Sequence, residues 1–201
     1  VPGVGKTRLV SAMANSCDAK FGRLQMTPDI MPTDVTGFTL IDTVTHNSEF
    51  RKGAVFCNFL LADEINRSSP KSQSALLEVM EEKQVTIDGE TLALSRPFLV
   101  IATQNPVETA GTFPLPEAQM DRFMMKLFMG LPSKDEELQI LDRYMEKEPL
   151  SELESVMTLE ELETAKQEAN KVFVHKCVRE YMVEIIAATR NGDDIVMGVS
   201  P

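Results

Sequence analysis

Apolar positions in the first stretch, "VPGVGKTRLVSAMANSC", fall at Leu9, Val10, Met13 and Ala14. That spacing predicts a helix and puts Lys6 and Thr7 at its N-terminus. "GRLQMTP" predicts a short strand closed by Pro28, and "DIMPTDVTGF" a loop rich in Pro, Thr, Asp and Gly. "LIDTVTHNSEFRKG" predicts a small hairpin. The run from Val55 to Ala62, apolar apart from one Asn and ended by two acids, predicts a strand buried on both faces. "PKSQSALLEVMEEKQ" predicts a helix with Pro70 in its first turn and Ala75, Leu76, Val79 and Met80 inward. "VTIDGETLALS" has Asp-Gly between alternating residues and predicts a β-hairpin. "PFLVIATQN" predicts a second buried strand, and "LPEAQMDRFMMKLFMGLP" a helix running into a strand "MKLFMGL".

From Ser133 the pattern turns helical. Ser133 with Glu136, and Thr158 with Glu161, have capping-box spacing at the head of "SKDEELQILDRYMEK" and "TLEELETAKQEANKV". "VREYMVEIIAATRN" predicts a third helix. The expected organisation is an α/β domain over residues 1–131 and an all-helical one over 132–201. No internal repeat interrupts it.

Composition adds limits. The chain has 201 residues, 43% hydrophobic and 25% charged, enough for a real core. Its net charge of −11 is uneven: residues 1–130 carry 12 basic and 15 acidic side chains, residues 131–201 carry 8 and 16. An acidic second half argues against tight nonspecific DNA binding, which needs Lys and Arg on phosphates. No apolar run reaches the roughly 20 residues that span a bilayer. Cys17, Cys57 and Cys177 lack metal-site spacing and are expected as thiols in a reducing, cytoplasmic compartment. His46 and His175 have no metal-spaced partner, and the 12 Met residues are expected in packing roles.

The candidate chemistry begins with the phosphate-loop pattern G-x-x-x-x-G-K-S/T. Gly5, Lys6 and Thr7 supply its end, and its first Gly would precede Val1, so the chain is expected to be an internal piece of a longer protein. Gly3 and Gly5 let backbone N–H groups approach phosphate, and the helix end adds partial positive charge. Lys6 can reach the outer phosphates, and the Thr7 hydroxyl can ligate Mg²⁺. Asp63 and Glu64 close an apolar strand, where one carboxylate can hold Mg²⁺ and the other polarise the attacking water. Side chains alternate along a strand, but the chain turns at its end, so both can face one site. Asn105 can position water or sense a γ-phosphate, or simply form a turn before Pro106. Arg122 can stabilise transition-state charge, or pair on the surface with Asp121 or Glu117. Arg67, after "DEIN", is a candidate for a subunit interface.

Taken together, "PGVGKT", "TPDIMPTDVTG", "GAVFCNFLLADEINRSSPKSQSALLEVMEEKQVTIDG", "FLVIATQNPVETAGTFPLPEAQMDRF" and "GVSP" resemble AAA+ ATPases, and within them the MoxR group. The resemblance is dense over residues 1–132 and looser beyond. It implies a three-layer αβα core with a central parallel sheet, followed by a truncated all-helical lid. It implies ATP and Mg²⁺ as cofactors, with the nucleotide on Pro2, Gly3, Val4, Gly5, Lys6, Thr7 and Arg8 and the metal on Thr7 and Asp63. Glu64 then matches the water-activating base, Asn105 sensor 1, and Arg122 the arginine finger that reaches a neighbouring subunit's ATP. "GVSP" matches the start of sensor 2, whose Arg would come next.

By the same resemblance, the activity is ATP hydrolysis coupled to chaperone-like remodelling of a protein client. The assembly is a ring, expected as a hexamer, with a von Willebrand factor A-domain protein as a possible partner and no nucleic acid. "FTLIDTVTHNSEF" and "VTIDGETLALS" would face the ring pore, or are plain exposed hairpins. Two other classes stay open: a nucleotide-gated scaffold with little hydrolysis, and a nucleic-acid motor.

Overall fold

The computed structural model describes residues 5–44, 46–105, 111–146, 150, 153–191, 195 and 198–199. The chain divides into two compact units, residues 1–163 and 164–201.

The first unit is built on a parallel sheet of three strands, β1 (Phe21–Gln25), β4 (Phe59–Asp63) and β7 (Leu99–Ala102), in the order β1-β4-β7. Phe21 stands opposite Phe59 and Gln25 opposite Asp63 on one side; Phe59 faces Leu99 and Ala62 faces Ala102 on the other. Phe59, Leu60, Leu61 and Ala62 are all buried, as a central strand covered on both faces requires. Leu60 and Ala62 join a core with Leu76 and Leu77 of α3 (Pro70–Glu82). Helix α1 (Lys6–Ser16) packs on β1 and β4 and buries Val10 and Ala14 outside that cluster, while Leu9 and Met13 stay exposed. The result is the parallel α/β sheet with flanking helices that the sequence predicts.

The apolar run at 55–62 is a strand only from Phe59 onward, and the single Asn in it explains why. Asn58 is buried, and its side chain accepts from Lys20 N–H (3.1 Å) and donates to the Pro97 carbonyl (3.0 Å). Its own carbonyl accepts from Leu99 N–H at 2.8 Å. One residue therefore fixes the starts of all three strands. A buried amide without those partners would carry a desolvation penalty.

Two hairpins flank the sheet. In β2 (Gly37–Ile41) and β3 (Ser48–Lys52), Ile41 pairs with Ser48 across a loop in which Asp42 Oδ1 accepts from Val44 N–H at 2.7 Å. In β5 (Gln84–Ile87) and β6 (Glu90–Ala93), the turn residues Asp88 and Gly89 have φ 52° and 83°. Positive φ at both positions is the hairpin geometry that Asp-Gly favours.

Two expectations need correction. Within the anticipated loop "DIMPTDVTGF" the chain makes a short helix, α2 (Pro32–Thr36). Pro32 opens it, and Asp34 reaches back to accept from Met31 N–H at 2.8 Å; Pro at the first position and a carboxylate at the third are start signals. The anticipated strand "MKLFMGL" does not form. Only α4 (Glu117–Met120) is regular there, and residues 121–133 are neither helix nor strand. Among the described residues this segment pairs with no strand of the sheet, which leaves its N–H and C=O groups without a ladder. Met124 and Phe128 are correspondingly 95% and 87% exposed.

Beyond it lie α5 (Lys134–Glu146), α6 (Leu159–Ala169) and, in the second unit, α7 (Lys176–Asn191). Both predicted capping boxes are present. Glu136 accepts from Ser133 N–H at 2.7 Å and Glu161 from Thr158 N–H at 2.8 Å, each with a reciprocal bond from the Glu N–H to the hydroxyl. No helix of the described residues is long and apolar enough to cross a membrane.

Gly53, just after β3, is a packing requirement. A Cβ there would lie 2.3 Å from the Val35 carbonyl oxygen and 2.4 Å from Gly37 N, both backbone atoms that side-chain motion cannot relieve. Gly53→Ala is expected to destabilise by about 1–3 kcal/mol, measured as a lower Tm than that of the parent chain.

Candidate active site

β1, β4 and β7 run in one direction, so their C-terminal ends Gln25, Asp63 and Ala102 share one edge of the sheet. Open parallel sheets bind ligands at this edge. Asp63 is the last residue of β4. Its Oδ1 accepts from the Thr103 hydroxyl at 2.6 Å, and its Oδ2 from Arg23 Nη2 at 2.8 Å. Burial alone would raise the Asp63 pKa. The hydrogen bonds from Thr103 and Arg23, with the charges of Arg23 and Lys6, outweigh burial and hold it below the ordinary carboxylate value. Lys6 opens α1, a helix that packs on β4.

Glu64 follows in the left-handed region, φ 57° and ψ 49°, and leads into the 3₁₀ turn Ile65–Arg67. That conformation costs a non-glycine residue about 1–2 kcal/mol, and here it is held by a hydrogen bond from Glu64 N–H to Thr103 Oγ1 at 2.8 Å. The turn swings the Glu64 carboxylate to the β1 side, where Oε2 accepts from Gln25 Nε2 and Arg67 Nη1, both at 3.0 Å. Arg23 Nη2 also donates to Gln25 Oε1 at 3.2 Å. The two acids are thus gathered on one side by residues 23 and 25 of β1, which share a strand face. Thr103, just after β7, ties them together.

Asn105 is buried. Its N–H donates to Asn66 Oδ1 (3.3 Å) and its carbonyl accepts from Asn66 Nδ2 (3.2 Å), which locks the segment after β7 onto the turn after β4. Gln73 of α3 continues this buried network, with its Nε2 near the carbonyls of Ile65 (3.0 Å), Ser68 (3.2 Å) and Phe113 (2.9 Å).

Gly5 has φ 82° and immediately precedes α1, whose N-terminus carries no side-chain cap and no acidic residue in its first turn. Its N–H groups and Lys6 suit an anion. Pro2, Gly3 and Val4 lie outside the described residues. Arg8 meets α5: its guanidinium lies 4.4 Å from the Tyr144 ring centroid and hydrogen-bonds the Tyr144 hydroxyl.

Arg122 is not part of the carboxylate cluster. It lies in a groove between α3 and α4 beside Ser74, Leu77 and Gln119, and pairs with Glu81 at 3.3 Å. This ion pair runs to α3, a contact beyond the local sequence.

The donor set suits Mg²⁺ bound together with a nucleotide. Among the described residues no three His, Cys, Asp or Glu side chains converge on a metal. One carboxylate, Asp63, and one hydroxyl, Thr7, are hard oxygen donors, and Mg²⁺ typically takes few protein ligands and keeps waters and substrate phosphates. Arg23, Gln25, Asn66 and Thr103 were absent from the sequence-derived candidates.

Comparison with known proteins agrees with this geometry. Residues 1–125 match the ATPase family associated with various cellular activities (AAA). Over 201 residues the chain is 51% identical to the Bacillus subtilis protein YeaC, covering all of this chain and 63% of that one. Over 197 residues it is 43% identical to Chaperone MoxR1 of Mycobacterium tuberculosis, covering 98% and 52%. A crystal structure from Cytophaga hutchinsonii that carries an ATPase designation superposes with a TM-score of 0.85 at 45% identity, over 94% of this chain and 58% of that one. The chain belongs to the AAA+ ATPases and, within that class, to the MoxR family. It spans between half and two thirds of the length of these relatives.

Proposed function

We propose that this chain carries the catalytic core of an ATP hydrolase whose cycle remodels a protein client. The observation that supports it most is the gathering of Asp63, Glu64 and Thr103 at the sheet edge, within the electrostatic reach of Lys6. In this reading Lys6 and the start of α1 bind the phosphates, with Gly3 and its neighbours in the loop. Asp63 and Thr7 hold the Mg²⁺ ion, which when bound neutralises phosphate charge. Glu64 takes a proton from the attacking water. Asn105, held by Asn66, orients that water or contacts the γ-phosphate. Arg122 acts on the ATP of a neighbouring copy in a ring, and residues 132–201 contribute the lid. The remodelling role draws on the relative named as a chaperone. A cytoplasmic location and a von Willebrand factor A-domain partner belong to the same proposal.

The test is ATP binding and phosphate release by the full-length protein, with Lys6→Ala beside it. Loss of a charge-assisted contact to phosphate is expected to weaken ATP binding about 10- to 100-fold, measured by titration with a fluorescent ATP analogue. Equal affinity in the two proteins would overturn the phosphate site. Tight binding without phosphate release under any condition, client included, would favour the nucleotide-gated scaffold.

A further inference from the structure

Asp63 is asked to hold a metal, yet both of its oxygens already have partners. The two partners differ in kind. Thr103 is buried, and its Oγ1 is locked by the second bond from Glu64 N–H. Arg23 is a cation on a long side chain that is 50% exposed. Its remaining contact here is one 3.2 Å bond to the Gln25 amide oxygen. Of the two carboxylate oxygens, only Oδ2 can be released without breaking buried structure.

A Mg²⁺ ion held by that oxygen would compete with the guanidinium for the same atom. Two cations sharing one carboxylate oxygen repel strongly. The guanidinium is itself half-exposed and can leave for solvent, where water replaces its hydrogen bonds.

We propose that Arg23 is a tethered counter-cation for Asp63 that Mg²⁺ must displace, so that this residue of β1 sets how much metal the site requires. The inference rests on the assignment of Asp63 as a metal ligand. Arg23 is in this sense a positioning residue that acts through the carboxylate it pairs with. It keeps Asp63 fixed and charge-balanced when metal is scarce, and it raises the metal concentration at which the site fills. Its place in the strand makes this possible. Arg23 stands opposite Leu61, two residues short of the Gln25–Asp63 pair, so only a side chain as long as Arg reaches the end of β4 from there.

The test is Mn²⁺ binding, followed by the loss of the free-ion paramagnetic resonance signal, to the full-length protein in excess over ADP. Arg23→Ala and Arg23→Gln are expected to bind Mn²⁺ about three- to tenfold more tightly than the parent. Asp63→Asn is expected to bind it at least about tenfold more weakly. The sign is the safeguard, since a merely damaged site would bind metal less well. Mn²⁺ affinity unchanged or weakened in both Arg23 variants, with Asp63→Asn impaired, would overturn the role of Arg23 and leave the metal ligand standing. Unchanged affinity in Asp63→Asn would overturn the metal assignment, and the inference with it.

Discussion

Glu64→Gln is expected to bind ATP as the parent does and to hydrolyse it about 10²–10⁴-fold more slowly. The substitution keeps the shape of the side chain and removes its capacity to accept the proton of the attacking water. Its local supports are largely indifferent to the change. The left-handed backbone at residue 64 is held by Glu64 N–H on Thr103, a main-chain bond that Gln retains. Of the two donors on Oε2, Arg67 and Gln25, each can donate to an amide oxygen as well as to a carboxylate. Folding and nucleotide affinity should therefore hold while turnover falls. Single-turnover phosphate release, measured beside the ATP dissociation constant, separates the two. Parental turnover would remove Glu64 as base, and a matching loss of affinity would make it a binding residue instead.

The parts of this site that the sequence announces are those whose chemistry sits next to its structural signal. Asp63 and Glu64 end an apolar run, Lys6 and Thr7 open a helix after glycines, and Pro70 sits in the first turn of α3. In each case the neighbours along the chain are also the physical cause. What it conceals depends on residues about 40 positions apart. Arg23 and Gln25 look like ordinary polar positions of a short strand until parallel pairing puts Gln25 opposite Asp63. Thr103 looks like the tail of an apolar strand until it bonds both acids. Asn66 looks like a turn residue until it clasps the backbone of Asn105. The segment "MKLFMGL" fails in the other direction: its composition suits a strand, but strand formation requires a neighbour, and composition does not report one.

Arg122→Ala is expected to reduce turnover about 10³–10⁵-fold, the range associated with removing an arginine finger, while ATP binding at the subunit's own Lys6 is retained. In the single chain Arg122 lies against Glu81 of α3, with the two side chains 42% and 61% exposed. A pair this exposed is worth about 0.2–1 kcal/mol, so handing the guanidinium to a neighbour's phosphates costs little. If the finger works between subunits, Arg122→Ala and Glu64→Gln damage different halves of each shared site. A subunit lacking Arg122 keeps its own base, and a subunit lacking Glu64 keeps its own finger. Mixing the two nearly inactive proteins should then restore phosphate release, because some interfaces join an intact Glu64 to an intact Arg122. The restored rate should rise with total protein concentration and fall when either variant is in large excess. If Arg122 instead acts within its own subunit, every site in the mixture lacks either finger or base, and no mixing ratio recovers activity.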